Sequence, residues 1–161
     1  MSSTPLTLDV LGPTVQVLTP VDGDPEAPCA LRGTIPPGLV VPLHAHPDPE
    51  TFVMLSGELD GFQAPSGWRR ARPGDAVHVP GGVRHAWRNP GAEAAVSIVV
   101  TTARMGAFFA EIGTPLAPGE RPAGPPAPDA VERLLRAAAR LGHWNASPAE
   151  NAAIGIALPG A

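Results

Sequence analysis

The stretch GLVVPLHAHPDPETFVMLSG, running from Gly38 to Gly57, decides how this chain is read. Residues two apart in an extended chain face the same side, so His44 and His46 project together into one space. Glu50 shares their parity beyond the turn-like Pro47-Asp48-Pro49, and Phe52 and Met54 continue that inward face. A second stretch, GDAVHVPGGVRHAWRN from Gly74 to Asn89, brings His85 from a different hairpin. Three imidazoles and one carboxylate suit a single divalent transition metal ion: Fe, Mn, Ni, Co, Cu or Zn. Four protein ligands on a six-coordinate ion leave two positions open.

Working outward, short β-type runs alternate with turn signals. Val15–Leu18, Ala30–Ile35, Thr51–Leu55, Glu58–Phe62, Ala76–Val79, His85–Arg88 and Ala95–Thr101 are the expected strands. Pro-Gly and Asn-Pro-Gly clusters between them mark tight turns of antiparallel strands. The fold class expected is all-β, a barrel or sandwich. Gly38, Gly57, Gly74 and Gly82 fall where turns need positive φ or close approach. Asp75 is expected to cap the Pro73-Gly74 turn, and Asn89 the turn after the His85 strand.

The two stretches resemble both signature motifs of the cupin superfamily, with every defining position filled. The resemblance covers about Ala30 to Thr101 and implies a single jelly-roll barrel with short C-terminal helices. It divides the chain into N-terminal strands and loop (1–29), a cupin barrel (30–102) and C-terminal helices (103–161) with a Pro-rich linker at 115–128. It implies His44, His46, Glu50 and His85 as metal ligands. Similarity to quercetinase-like cupins implies a mononuclear-metal dioxygenase acting on a small aromatic, flavonol-like or enolic substrate, with Glu50 also the catalytic base. Phe52, Met54, Val77, Val79 and Trp87 would supply the apolar pocket. The Pro47-Asp48-Pro49 loop and Arg84 would stand at its mouth. A metal-dependent isomerase, lyase or cyclase, and a non-catalytic small-ligand binder, are the alternatives. The absence of Tyr weighs against metal-free sugar epimerases, which use one as an acid.

Beyond Thr102 helices are expected over Met105–Ile112 and Ala130–Leu141, the second capped by Asp129 with Glu132 and stopped by Gly142. A third starts at Ser147-Pro148. His78, between Val77 and Val79, is expected to face outward, and His143, after the helix stop, to lie on the surface. Cys29 is the only cysteine, so an internal disulfide is excluded and a buried hydrophobe is expected. Net charge is −4 and the basic residues, all Arg, are scattered, which argues against a nucleic-acid surface. No run approaches the ~20 apolar residues of a membrane span, and no signal peptide is read, so a cytoplasmic protein is expected. A homodimer is expected from open sheet edges.

Overall fold

The structure is a computed structural model that describes residues 5–122 and 124–158. In chain order the strands are β1 (Thr7–Asp9), β2 (Thr14–Val17), β3 (Pro28–Ile35), β4 (Val40–Ala45), β5 (Glu50–Ser56), β6 (Leu59–Gln63), β7 (Gly67–Ala71), β8 (Ala76–Val79), β9 (His85–Arg88), β10 (Ala95–Thr102), β11 (Thr114–Leu116) and β12 (Trp144–Asn145). The helices are α1 (Ala103–Ile112), α2 (Pro128–Arg140) and α3 (Pro148–Ala153). Two antiparallel sheets form the barrel, one ordered β11-β1-β2-β3-β10-β5-β8 and the other β12-β4-β9-β6-β7. The all-β class with short C-terminal helices is as expected.

Alternation builds the core. Along β5, Glu50, Phe52 and Met54 are buried while Thr51 and Val53 are not. On β8, which pairs with β5, Val79 lies opposite Glu50 and Val77 opposite Phe52, so both turn inward. Leu31, Phe52, Met54, Leu59, Val79 and Trp87 form one apolar cluster. Cys29 is buried in the same cluster.

Five strands lie outside the expected set, among them β4, which carries His44. β1 and β11 pair with each other at the sheet edge, so Pro115 and Leu116 belong to a strand and not to the linker. β7 carries Arg69 and Arg70 and pairs with β6 throughout. β12 extends the second sheet beside β4. α2 begins at Pro128, so Asp129 lies inside its first turn and makes no N-cap; the cap position is Ala127. Pro at the first helical position pre-sets φ and gives up an N–H that has no partner there anyway. α3 starts as expected, with Ser147 and Glu150 bonding each other's backbone in a capping box.

The turn glycines hold their expected conformations: φ is 74° at Gly38, 69° at Gly57, 92° at Gly74 and 78° at Gly82. Gly81 matters for a different reason. A Cβ there would stand 2.1 Å from the Pro47 carbonyl oxygen. Only glycine lets the 80–82 loop lie against the 46–48 loop, where the Gly82 N–H donates to the His46 carbonyl at 2.7 Å.

Candidate metal centre

β4 and β9 place the first two histidines. Val41 pairs with Trp87, and His44 pairs with His85, so two residues of β4 oppose one of β9 between them. This bulge accommodates Pro42, which has no N–H for a ladder. It also turns Val41 and His44, three apart, toward the same interior. The bulge is pinned from outside: the buried Asn151 of α3 accepts the Leu43 N–H at 2.9 Å. Sequence reading gave Asn151 no role.

Each imidazole is oriented by a carbonyl. Nδ1 of His44 lies 2.7 Å from the Pro42 oxygen, Nδ1 of His46 2.8 Å from the Asp48 oxygen, and Nδ1 of His85 2.8 Å from the Val83 oxygen. A carbonyl only accepts, so each Nδ1 carries the donated proton and each Nε2 is left with a lone pair. The three histidines each offer a nitrogen within 4.8 Å of the others. His46 Nε2 and His85 Nε2 are buried without a hydrogen-bond partner. Glu50 Oε2 stands 3.5 Å and 3.4 Å from them.

Those separations are long for hydrogen bonds, whose usual range is ~2.7–3.2 Å. They suit donors sharing one ion, since ligands ~2.1 Å from a metal stand roughly 3.0–3.4 Å apart. The donor set therefore fits a divalent transition metal. Burial keeps His44 neutral, pushing its pKa down to about 3, and the neighbouring His85 adds to this. Burial opposes charge on Glu50, but the adjacent imidazoles of His46 and His85 outweigh it and hold the carboxyl well below its usual range. Burial likewise works against a charged His46, and the neighbouring Glu50 carboxylate more than offsets it, so its pKa is raised.

Asp48 has a different place from the expected one. It is 1% exposed and is no part of a pocket mouth. Thr102 Oγ1 donates to it at 2.5 Å, and Arg104 donates from Nη2 at 2.7 Å and from Nε at 3.3 Å. Burial disfavours the Asp48 charge, but these donors outweigh it and depress its pKa. The Thr102 hydroxyl also accepts the Met105 N–H as the N-cap of α1, so one residue ties the helix to the loop that orients His46. Arg84 is exposed and stacks over Trp144 with its guanidinium carbon 4.1 Å from the ring centre.

Phe52 and Trp87 pack at 4.3 Å between ring centres, and Phe52, Met54, Val79 and Trp87 are core residues. Val77 and Trp87 also line a cavity of about 410 Å³ that opens between β7 and β8, bordered by Arg69 and Gln63. His78 faces outward as expected, its Nδ1 2.9 Å from Thr51 Oγ1. Asp75 accepts the Arg72 N–H at 2.8 Å, and Asn89 binds Ile35, Gly91 and Glu93, so both structural expectations stand.

His143 departs from expectation. It is partly buried, its ring 5.3 Å from that of His46 and 4.7 Å from Phe108. The expected stop at Gly142 is a Schellman turn, in which the His143 N–H donates to the Ala138 carbonyl at 2.9 Å. Residues in that position commonly pack back against the helix, a signal in the sequence that points away from solvent.

The family model for a cupin domain matches residues 31–101. No curated protein matches the chain. Among solved structures, the chain is similar to the DMSP lyase DddQ from Ruegeria pomeroyi DSS-3, at 27% identity and a TM-score of 0.50 over 56% of this chain and 47% of that one. It is similar to a cupin 2 conserved barrel domain protein from Salinispora arenicola CNS-205, at 25% identity and a TM-score of 0.53 over 68% and 96%. A sugar phosphate isomerase of the cupin superfamily from Silicibacter pomeroyi DSS-3 shares 24% identity, with a TM-score of 0.50 over 58% and 60%. That last likeness shows the fold alone. The chain spans about half the length of the lyase structures it matches. Among the described residues, no helix is long and apolar enough to cross a membrane.

Proposed function

This chain belongs to the cupin superfamily through residues 31–101, and from that premise we propose a mononuclear metal enzyme that deprotonates a small enolic or enolisable substrate. His44, His46, His85 and Glu50 would hold one divalent transition metal ion. The observation that carries the reading is the convergence of three imidazoles whose Nδ1 atoms are committed to carbonyls, with Glu50 reaching two of their Nε2 atoms. When bound, such an ion supplies Lewis-acid polarisation of a substrate oxygen. Glu50 takes the substrate proton: it is buried, it is held ionised by its neighbours, and among the described residues no arginine pairs with it. The apolar layer of Phe52 and Trp87 behind the site keeps water from that side.

With dioxygen as co-substrate this is the dioxygenase on an aromatic or enolic substrate that the quercetinase-like motif implies. One observation favours a second reading, in which a lyase or isomerase works without oxygen: the 27% identity to a DMSP lyase over 56% of this chain. One experiment separates them. Protein loaded in turn with iron, nickel, cobalt, manganese and copper is given quercetin in an oxygen-electrode cell, and DMSP in a sealed anaerobic tube followed by proton NMR. Oxygen uptake that disappears in Glu50→Gln supports the first; anaerobic loss of DMSP that disappears in the same variant supports the second. Turnover unaffected by Glu50→Gln removes the proposed base. We also propose a homodimer, supported by the exposed Leu55 and Val100 on the outer sheet face; light scattering at the mass of one chain would contradict it.

A further inference from the structure

We propose that His143 is a ligand-contacting residue of the metal chamber, its Nε2 hydrogen-bonding a small anion or a carbonyl or carboxylate oxygen of the substrate held beside the metal. The inference rests on the reading of His44, His46, Glu50 and His85 as a metal site. It adds a residue from outside the matched domain, since His143 lies 42 positions beyond residue 101.

The sheet register supplies the first argument. Trp144 pairs with Ala45 and Asn145 with His44, so His143 follows as the neighbour of His46. Residues directly opposite in an antiparallel pair put their side chains on one face. His143 therefore shares the His46 face, and the 5.3 Å between ring centres agrees. Trp144 takes the other face and packs in the cluster of Leu43, Ala86 and Ile156.

The second argument is hydrogen-bonding capacity. His143 Nε2 is buried and has no partner among the described residues. A buried polar atom is costly unless a protein group, water or ligand satisfies it. Neighbouring polar groups are already engaged: Asp48 by Thr102 and Arg104, and the Asp48 carbonyl by His46. The ring is fixed on both sides, by Phe108 and by the Schellman turn, so it cannot swing out cheaply. His143 is also outside the three-histidine group whose nitrogens lie within 4.8 Å of one another. Its ring lies beside that of His46, one ring removed from the ligands.

The test uses the full chain loaded with Co(II), whose visible spectrum reports its ligands, and azide as the small-anion probe. His143→Phe keeps the aromatic contact with Phe108 and removes the nitrogen. His143→Gln restores a polar atom at similar reach. All three proteins are expected to bind about one equivalent of cobalt with one spectrum. Azide should bind about tenfold more weakly to His143→Phe, with His143→Gln recovering to within about threefold of wild type. In the Zn(II)-loaded wild type, azide should shift the His143 imidazole nitrogen resonances, a readout that does not need either variant to fold. Equal azide affinity in His143→Phe, or an unmoved His143 signal, overturns the proposal while leaving the metal site intact. Loss of cobalt from folded His143→Phe overturns it in favour of a ligand role. A wild type that takes up no cobalt fails the metal reading itself and this proposal with it.

Discussion

Replacing Arg104 by Met should both destabilise the fold and loosen the metal site. Arg104 donates to the buried Asp48 from two nitrogens and also pairs with Glu26 at the surface. Breaking a fully buried pair by removing one partner costs about 3–5 kcal/mol, because a charge is left uncompensated. Arg104 keeps 30% of its side chain exposed, so water reaches the vacated side and the cost falls to about 2–3 kcal/mol. For a chain of this length that is roughly 5–10 °C in Tm. Because the Asp48 carbonyl orients His46, metal affinity should fall by about tenfold or more as well. The pH dependence has a definite sign. Asp48 titrates below its usual value in the folded state, so its contribution is present above about pH 4 and is lost as the pH falls through the depressed value. Thermal melts of wild type and Arg104→Met from pH 7 to pH 3 should therefore converge at the acid end. Adding Asp48→Asn to Arg104→Met should recover part of the loss at neutral pH, since the orphaned charge is gone. A variant within about 1 °C of wild type at pH 7, or a difference that persists unchanged at pH 3, would refute the reasoning.

Three further outcomes follow from single contacts. Gly57→Ala should destabilise by about 2 kcal/mol or more, read by urea unfolding, because φ is 69° and the added Cβ would stand 2.5 Å from the Ala94 oxygen. Asn151→Leu should cost about 1–3 kcal/mol and weaken metal binding, since the Leu43 N–H in the bulge beside His44 loses its acceptor; an unchanged melt and unchanged metal affinity would leave Asn151 without the role assigned to it. His78→Ala should stay within about 0.5 kcal/mol of wild type and keep its metal, because the ring faces outward.

The convergence of His44, His46 and His85 was legible because ligand spacing and strand parity act together. His44 and His46 are two apart, and Val79 opposite Glu50 continues the same face. The turn glycines were legible because positive φ selects glycine. Other features depend on partners far along the chain. β7 is missing from the expected strands because its strand character comes from pairing with β6, not from Arg69 and Arg70. Asp48 between two prolines looks solvated, and only the fold brings Thr102 and Arg104 to it, 54 and 56 residues away. His143 was assigned to the surface by its position after a helix stop. The pairing of β12 with β4 overrides that local signal. Gly81 shows the same limit: its need for glycine arises from the Pro47 carbonyl across the loop, not from its own backbone.

The most direct test of the central claim is metal content, measured by plasma mass spectrometry on protein purified without chelator and on His85→Ala prepared alongside it. About one equivalent of a transition metal is expected in wild type and less than about a tenth in His85→Ala, with circular dichroism showing that the variant keeps its fold. Wild-type protein that stays below about a tenth of an equivalent after incubation with each candidate metal, or a His85→Ala variant that retains a full equivalent, would contradict it.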